Sequence, residues 1–264
     1  MRKVIKCFPE GKHKVLTMSY DDGKEADRRL VQIFNQYGIK GTFHLNSGLI
    51  GQGDRLTEEE LVELYHGHEV SVHTLTHPTI ARCYKEEIVE QIFEDRRNLE
   101  ALFGYPIRGM SYPNGSYNKE IIEMLPHLGI EYARIVGNSE NFEMPHDFYQ
   151  WMATCHHNHN LINLGKSFLE LHKSQYFYMM YVWGHSYEFD RDHNWDLIEK
   201  FCELVSNQDD IWYATNIEIV DYLHALESLK FTVERDRVIN PSAVPVWLQI
   251  DGEVVKINPG ISTL

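Results

Sequence analysis

The sequence predicts an α/β fold arranged as a parallel barrel, and three observations support this fold class. Strand-like and helix-like segments alternate through most of the 264 residues. The loops between them are short, as expected for repeated β/α units. The apolar content of 43% is high enough for a sizeable core. An open doubly wound sheet is the structural alternative, although the Gly-rich fingerprint of dinucleotide-binding sheets is missing after the first strand.

The predicted strands are short apolar or alternating runs that end at turn or loop residues. We expect them over residues 15–20, 41–46, 68–73, 107–111, 131–136, 148–155, 176–183 and 211–214. Together with the helices between them, these strands make seven or eight β/α units.

The helices are predicted from apolar residues at helical spacing and from their capping residues. A helix should begin after Thr57, because Thr57 and Glu60 form a capping-box pattern. Gly38 and Gly104 are placed to end two others. The helices other than the one after Thr57 are expected over residues 26–37, 85–103, 118–128, 161–172, 194–205 and 217–229, and Gly38 and Gly104 follow the first two.

The C-terminal part of the chain changes character after residue 229. Residues 230–264 contain alternating, strand-like runs, and Asp251-Gly252 is a typical hairpin turn between two of them. We therefore divide the chain into a barrel over residues 1–229 and a small β-rich extension over residues 230–264.

Charge and composition disfavour several classes of partner. The formal net charge of −14 disfavours nucleic acid and an anionic membrane, and we expect neither as a partner, because an acidic surface repels both. No segment reaches the roughly 18 apolar residues of a membrane span, and the N-terminal residues lack the apolar stretch of a signal peptide. The four cysteines are scattered without metal-binding spacing, as in a reducing compartment. The expected location is cytoplasmic, and the oligomeric state stays open.

Acidic and imidazole side chains stand at the carboxyl ends of three predicted strands, which converge on one mouth of a parallel barrel. Asp21 and Asp22 end the first strand. His73 ends the third strand, His77 lies in the loop after it, and His185 follows a strongly apolar strand. Neighbouring residues of an extended segment point in opposite directions, so one aspartate could bind a metal ion while the other faces a bound water. Two histidines and one carboxylate leave coordination positions open, which is typical of a catalytic metal site.

Taken singly, each of these patterns has an ordinary structural explanation. An acidic pair before a glycine is most often a solvated turn that caps a helix, and a lone histidine after a strand is as often packed as catalytic. Their combination at the ends of three strands is what indicates an active site. A metal-free binding protein that keeps the barrel is disfavoured, since a decayed site usually loses at least one such group.

Three motifs within residues 15–229 resemble those of the polysaccharide deacetylase (NodB-homology) family, a group similar to carbohydrate esterase family 4. Ser-Tyr-Asp-Asp-Gly at residues 19–23 is similar to the family's first motif, Thr-Phe-Asp-Asp-Gly. His-Thr-Leu-Thr-His at residues 73–77 has the spacing of its second motif, and Val-Trp-Gly-His at residues 182–185 is similar to its late motif. The resemblance implies a distorted (β/α)7-type parallel barrel.

The same resemblance implies a metal-dependent reaction. One divalent ion, with Zn²⁺ as the first candidate and Co²⁺, Ni²⁺ or Mn²⁺ as alternatives, would be held by Asp22, His73 and His77. Asp21 would act as general base and His185 as general acid. The implied reaction removes an N- or O-linked acetyl group from a carbohydrate or sugar-like small molecule by metal-activated water. A same-fold hydrolase of a small non-sugar amide or imide, or a catalytically silent carbohydrate-binding barrel, is the alternative.

The middle motif departs from the family, which usually has Arg-x-Pro-Tyr-Gly. Here residues 108–115 read Arg-Gly-Met-Ser-Tyr-Pro-Asn-Gly. Aligning on the shared Pro-x-Gly puts Asn114 in the place of the tyrosine and Ser111 in the place of the arginine. The arginine that usually contacts the base is then missing, and Arg134 or Arg108 could replace it.

Substrate contacts are expected from this region and from an aromatic residue beside the acid. A backbone N–H near residues 112–114 should face the oxyanion. Asp147 is the candidate for the aspartate that usually supports the acid histidine. Short loops and an acidic surface favour a soluble mono- or oligosaccharide, or a sugar-like metabolite, over an anionic polymer. The candidate oxyanion and substrate residues are Tyr112, Asn114, Arg108, Arg134 and Trp183.

Overall fold

The computed structural model describes residues 2–264 and contains a parallel sheet that curls into a barrel whose two end strands, among the described residues, do not pair with each other. Strand β1 (Val4–Cys7) precedes this sheet. The strands of the sheet are β2 (Lys14–Asp21), β3 (Gly41–Leu45), β4 (Glu69–Val72), β5 (Gly109–Ser111), β6 (Tyr132–Ile135), β7 (Trp151–Met152), β8 (Cys155–His156), β9 (Tyr178–Gly184) and β10 (Ile211–Tyr213). Hydrogen-bonded neighbours follow the order β7-β6-β5-β4-β3-β2-β9-β8, and β10 pairs in parallel with the first half of β2. The predicted parallel α/β barrel is therefore confirmed.

The two ends of the curled sheet are joined by the segment that we predicted as one strand over residues 148–155. In the structure Phe148–Gln150 form a 3-10 turn, after which β7 pairs with β6 and β8 pairs with β9. The prediction of one continuous strand is wrong, because the segment changes partner at Ala153 and Thr154. Thr154 fixes the change: its N–H donates to the Tyr181 carbonyl at 2.8 Å and its hydroxyl accepts from the Tyr181 N–H at 3.0 Å.

The helices connect the barrel strands, and the predicted caps are present. Thr57 and Glu60 form both bonds of the capping box, and Gly38 and Gly104 end their helices with φ of 65° and 75°. Over residues 2–264 none of the helices has the length and apolar character needed to cross a bilayer. The helices are α1 (Asp27–Tyr37), α2 (Glu58–Leu64), α3 (Lys85–Phe103), α4 (Lys119–Met124), α5 (Leu161–Leu169), α6 (Tyr187–Arg191), α7 (Trp195–Val205) and α8 (Asn216–Ser228).

Three helical segments differ from the prediction, and one of them, α5, ends at Leu169 instead of residue 172. The helix expected over residues 118–128 ends at Met124 and continues as a 3-10 turn over Leu125–Leu128, because Pro126 has no N–H to donate to the helix. Helix α6 was not predicted. Its five residues are too few to show a helical period in the sequence.

The C-terminal residues form the strands β11 (Lys230–Phe231), β12 (Arg237–Asn240), β13 (Val246–Ile250), β14 (Glu253–Ile257) and β15 (Gly260–Thr263). Strands β13 and β14 form the predicted hairpin, with Asp251 and Gly252 at φ of 51° and 101° in its turn. Strand β1 pairs with β13, so the N-terminal strand belongs to the same small antiparallel sheet. Strands β11, β12 and β15 form a second one. The division at residue 229 stays a prediction.

The barrel interior contains a buried carboxylate at its amino-terminal end. Glu69, the first residue of β4, accepts hydrogen bonds from Tyr132 at 2.6 Å, Ser71 at 2.8 Å and Thr42 at 2.9 Å. Its fourth donor is the N–H of Ile217 in α8, at 2.8 Å. Four donors compensate for the lost hydration of this carboxylate and tie three strands to the last helix.

Candidate active site

The candidate site lies where the barrel strands end. Asp21 is the last residue of β2, and His73 directly follows β4. Ser111 is the last residue of β5, and His185 directly follows β9. Because the strands are parallel, these ends meet at one mouth of the barrel. The structure therefore brings together the side chains that the sequence placed at strand ends.

Asp22, His73 and His77 form a group that could hold a metal ion, with their ligand atoms all within 4.8 Å of one another. Asp22 Oδ1 lies 3.9 Å from His73 Nε2 and 3.8 Å from His77 Nε2. Asp22 and His77 both have a left-handed φ, of 81° and 59°, and His73 is buried between the strand ends. Two imidazole nitrogens and one carboxylate oxygen facing one space fit a divalent ion such as Zn²⁺ with positions left for water.

His73 is oriented by its neighbours so that Nε2 faces this group. Its Nδ1 lies 2.9 Å from the Ser111 carbonyl oxygen, which fixes the proton on Nδ1. Its backbone N–H donates to Leu45 at 2.9 Å and to the carboxylate of Asp95 at 3.0 Å. Asp95 also accepts from the N–H of Ser47 at 2.6 Å. These contacts hold the ring in the orientation that a metal ligand requires.

The His77→Ala protein is expected to bind less than one equivalent of divalent metal. Removing one of three protein ligands weakens a site of this kind strongly, because the remaining two no longer define a coordination sphere. Elemental analysis after dialysis measures the stoichiometry. His66→Ala removes a histidine outside the group and serves as the control. Undiminished stoichiometry in His77→Ala would remove His77 from the site.

Asp21 is buried and held by charged and polar partners. Its Oδ2 forms an ion pair with Arg134, and its Oδ1 accepts from the Ser111 hydroxyl at 3.0 Å. Its Oδ2 lies 3.9 Å from His73 Nε2 and 4.0 Å from His185 Nε2. Burial alone would raise the pKa of Asp21, but the Arg134 guanidinium and the nearby histidines hold it well below its usual range. Asp21 is therefore ionised at neutral pH.

Arg134 is the arginine that contacts the candidate base. It is buried, its Nε donates to the Ser19 hydroxyl at 3.1 Å, and its guanidinium stacks over Trp183 at 4.5 Å. Arg108 lies elsewhere: it precedes β5, at the opposite end of the strand from Ser111, and forms ion pairs with Glu131 and Asp221. We therefore leave Arg108 out of the proposed site.

His185 has a carboxylate partner that the sequence reasoning did not find. Its Nδ1 lies 3.5 Å from Glu188 Oε2, and its backbone N–H donates to the same oxygen at 3.3 Å. Burial lowers the pKa of His185, whereas Glu188 and Asp21 raise it, and the net direction is upward. The acidic residue three positions after His185 was the available signal. Asp147, the residue proposed from the sequence, instead accepts from the Tyr149 N–H and caps the 3-10 turn before β7.

The other predicted contact residues have different surroundings. Tyr112 is buried, and its hydroxyl donates to the Tyr149 carbonyl at 2.9 Å. Asn114 is exposed in the loop after β5, with a left-handed φ of 57°. Trp183 is 7% exposed and donates from Nε1 to the Gly137 carbonyl at 3.0 Å. Trp183 therefore supports Arg134 and offers little free surface to a ligand.

Comparisons with known proteins point to one family. Residues 9–133 match the family model described as polysaccharide deacetylase. The peptidoglycan-N-acetylglucosamine deacetylase PgdA of Listeria monocytogenes is 26% identical over 113 residues, which cover 42% of this chain and 24% of that protein. A chitooligosaccharide deacetylase of Bradyrhizobium sp. is 22% identical over 116 residues, which cover 43% of this chain and 52% of that protein. The matches thus span about half, or less, of these relatives.

The solved structures show the fold over a larger part of the chain. The Xyl-CE4 domain of a multidomain xylanase from the hindgut metagenome of Trinervitermes trinervoides is similar with a TM-score of 0.58 at 15% identity. This likeness covers 81% of this chain and 92% of that chain, and at such an identity it shows the fold alone. The match of residues 9–133 to the family model confirms the resemblance to polysaccharide deacetylases that the motifs predicted.

Proposed function

We propose that this chain is a metal-dependent hydrolase that removes acetyl groups from a carbohydrate. The placement of Asp21 carries the proposal, because its Oδ2 lies 3.9 Å from His73 Nε2 on one side and 4.0 Å from His185 Nε2 on the other. An ionised carboxylate between a metal site and a second proton carrier suits hydrolysis of an acyl group. The match to the polysaccharide deacetylase family supports an acetylated sugar as substrate.

Asp22, His73 and His77 would hold the divalent ion, with Zn²⁺ as the first candidate and Co²⁺, Ni²⁺ or Mn²⁺ as alternatives. When bound, such an ion lowers the pKa of a coordinated water and polarises the acetyl carbonyl. The two adjacent aspartates have different contacts, which indicate different roles. Asp22 Oδ1 faces both imidazoles, whereas the oxygens of Asp21 are engaged by Arg134 and Ser111.

Asp21 accepts the proton of the attacking water. Arg134 keeps this carboxylate ionised, and therefore able to accept a proton, although it is buried. The Ser111 hydroxyl fixes Oδ1, so that Oδ2 faces the space between His73 and His185. A positioned base of this kind contributes about 10²–10⁴-fold to the rate.

His185 donates a proton from Nε2 to the departing amine or alcohol, since its Nδ1 faces Glu188. The loop after β5 supplies the candidate oxyanion donor. The N–H of Tyr112 already bonds to the Arg134 carbonyl at 3.1 Å, and Pro113 has no N–H. An oxyanion contact requires a donor that is available to the ligand. Among residues 112–114, the backbone N–H of Asn114 is the remaining one.

We propose a soluble acetylated mono- or oligosaccharide, or a sugar-like metabolite, as the substrate class. By their names, the two relatives described above act on N-acetylglucosamine in peptidoglycan and on chitooligosaccharides. N-acetylglucosamine oligomers are therefore the first substrates to test, with O-acetylated sugars as the second group.

Acetate release is the measurement that tests this function. The full chain is assayed on N-acetylglucosamine oligomers of increasing length, on an O-acetylated xylo-oligosaccharide and on a small amide without a sugar. We expect acetate from at least one of the sugars, loss of release after chelation, and recovery on adding Zn²⁺. Cleavage of the amide without release from any sugar would replace the proposal with a non-sugar hydrolase. A steep rise of kcat/KM with chain length, continuing through the longest oligomer, would contradict the small-substrate class.

A further inference from the structure

The carboxylate of Glu188 in α6 is shared by three imidazole rings. Glu188 is 8% exposed, and its Oε2 lies 2.9 Å from His156 Nε2, 3.3 Å from His157 Nε2 and 3.5 Å from His185 Nδ1. Of these rings, His185 is the one whose other nitrogen faces Asp21, at 4.0 Å. A single buried oxygen thus connects the candidate acid to two histidines that lie outside the family motifs.

His156 is a hydrogen-bond donor to Glu188. Its Nδ1 accepts from the backbone N–H of Asn158 at 3.2 Å, and a neutral ring that accepts at Nδ1 carries its proton on Nε2. The same tautomer argues against a metal ion between His156 and Glu188, because a metal-bound Nε2 has no proton. The backbone of His156 is fixed by β8, where it pairs with Trp183 of β9.

His157 contributes no competing positive charge. Its ring packs between Tyr20 and Phe189, with centroid distances of 5.7 Å and 4.1 Å. Gly184 leaves the room for it, since a Cβ there would lie 2.1 Å from His157 Nδ1. Burial lowers the pKa of His157 to about 3, so the ring is neutral and the charge of Glu188 is left to act on its other neighbours.

We infer that His156 and Glu188 act as a positioning pair for His185: His156 fixes the carboxylate, and the carboxylate fixes the ring orientation and the charged form of His185. The inference rests on the proposed function, in which His185 is the general acid. Glu188 bonds to the backbone N–H of His185 as well as facing its Nδ1. The carboxylate therefore holds the backbone of His185 by one hydrogen bond and places its negative charge 3.5 Å from Nδ1, on the side of the ring away from Asp21.

Other charged and titratable groups also face the His185 ring, and they are unchanged in the Glu188 and His156 variants that test the pair. Asp21 and Asp22 at the end of β2 act on it through their charges. The Tyr187 ring lies 5.3 Å from the His185 ring, and Arg191 lies 3.6 Å from the other oxygen of Glu188. Arg191 is exposed, so solvent screens its charge.

An NMR titration of the His185 ring in the full-length, zinc-loaded protein tests the pair, with the resonances assigned by their loss in His185→Gln. We expect Glu188→Gln to lower the pKa of His185 by about one unit or more, because a carboxylate that favours the charged form is removed. His156→Ala should lower it by less, about half a unit. His156→Gln keeps a donor near the Nε2 position and should stay close to the wild type.

Kinetics supply a second readout that a merely structural role would not move. In Glu188→Gln, kcat should fall about 10–100-fold with KM nearly unchanged, and the alkaline limb of the pH profile should move to lower pH. Metal content should stay at the wild-type value. Glu140→Gln removes the carboxylate of the exposed Glu140–His159 pair, at 2.8 Å, and should change neither readout.

A pKa of His185 within about 0.2 units of the wild type in both Glu188→Gln and His156→Ala overturns the inference. If Glu188→Gln does not fold, the contrast between His156→Ala and His156→Gln decides: equal pKa values in these two reject the pair. The titration needs no substrate. A shifted pKa in a protein that releases no acetate would reject the proposed function and keep the positioning pair.

Discussion

The Asp21→Asn protein is expected to keep its metal and to lose about 10²–10⁴-fold in kcat. The amide has nearly the shape of the carboxylate and can still contact Arg134 and Ser111, but it cannot accept the water's proton. Asp22→Ala should lose the metal as well as the activity, because Asp22 Oδ1 faces both His73 and His77. Metal analysis and acetate release on the same preparations separate the two roles.

The pair of variants is informative because the residues are adjacent. If both proteins lose metal to the same extent, the division between base and ligand is wrong. If Asp21→Asn retains near-normal turnover, another group accepts the proton. Adding Zn²⁺ in excess to Asp21→Asn serves as the control, since recovery of activity would show that the loss came from weaker metal binding.

The Arg134→Met protein is expected to be less stable by about 3–5 kcal/mol at neutral pH, because it leaves the buried carboxylate of Asp21 without its counter-ion. Methionine fills much of the same space beside Trp183, so the loss reports on the charge more than on packing. Arg108→Met is the matched control. Arg108, Glu131 and Asp221 are each about one-third exposed, and water can solvate the carboxylates left behind, so about 1 kcal/mol or less should be lost.

The pH dependence of this difference has a definite sign. In the wild type, Asp21 has a pKa held well below the usual 3.8, so its contribution to stability is present above that value and is lost as pH falls toward the folded pKa. Without Arg134, burial raises the pKa of Asp21. The loss of stability in Arg134→Met relative to the wild type should therefore shrink as the carboxylate is protonated in acid. Urea unfolding of the metal-free proteins at neutral and mildly acidic pH measures this. If Arg134→Met is less stable than the wild type by the same amount at both pH values, the unpaired charge of Asp21 is not the cause of the loss.

The functional residues at the strand ends could be predicted because the sequence signals that mark a strand and its end are local. Asp21, Asp22 and His73 follow apolar runs that are short enough to be strands, and a parallel barrel brings such positions to one mouth. The choice between Arg134 and Arg108 could also have been made from position. Arg134 lies near the carboxyl end of β6, whereas Arg108 precedes β5.

The partners of His185 could not be predicted in the same way. Glu188 reaches His185 only because α6 forms, and this helix is too short to show a period. His156 reaches Glu188 only because residues 151–156 change their strand partner from β6 to β9, which lie near opposite ends of the curled sheet. Both contacts are consequences of tertiary structure with weak local signals.

The buried carboxylate of Glu69 has a consequence for how the chain is made. Its four donors come from β3, β4, β6 and α8, and the last of them, Ile217, is separated from Glu69 by 148 positions. A growing chain on the ribosome that has not yet released Ile217 cannot complete this set, and a buried carboxylate with a missing donor is costly. We therefore expect the amino-terminal end of the barrel to stay hydrated during synthesis and to exclude water only when α8 docks.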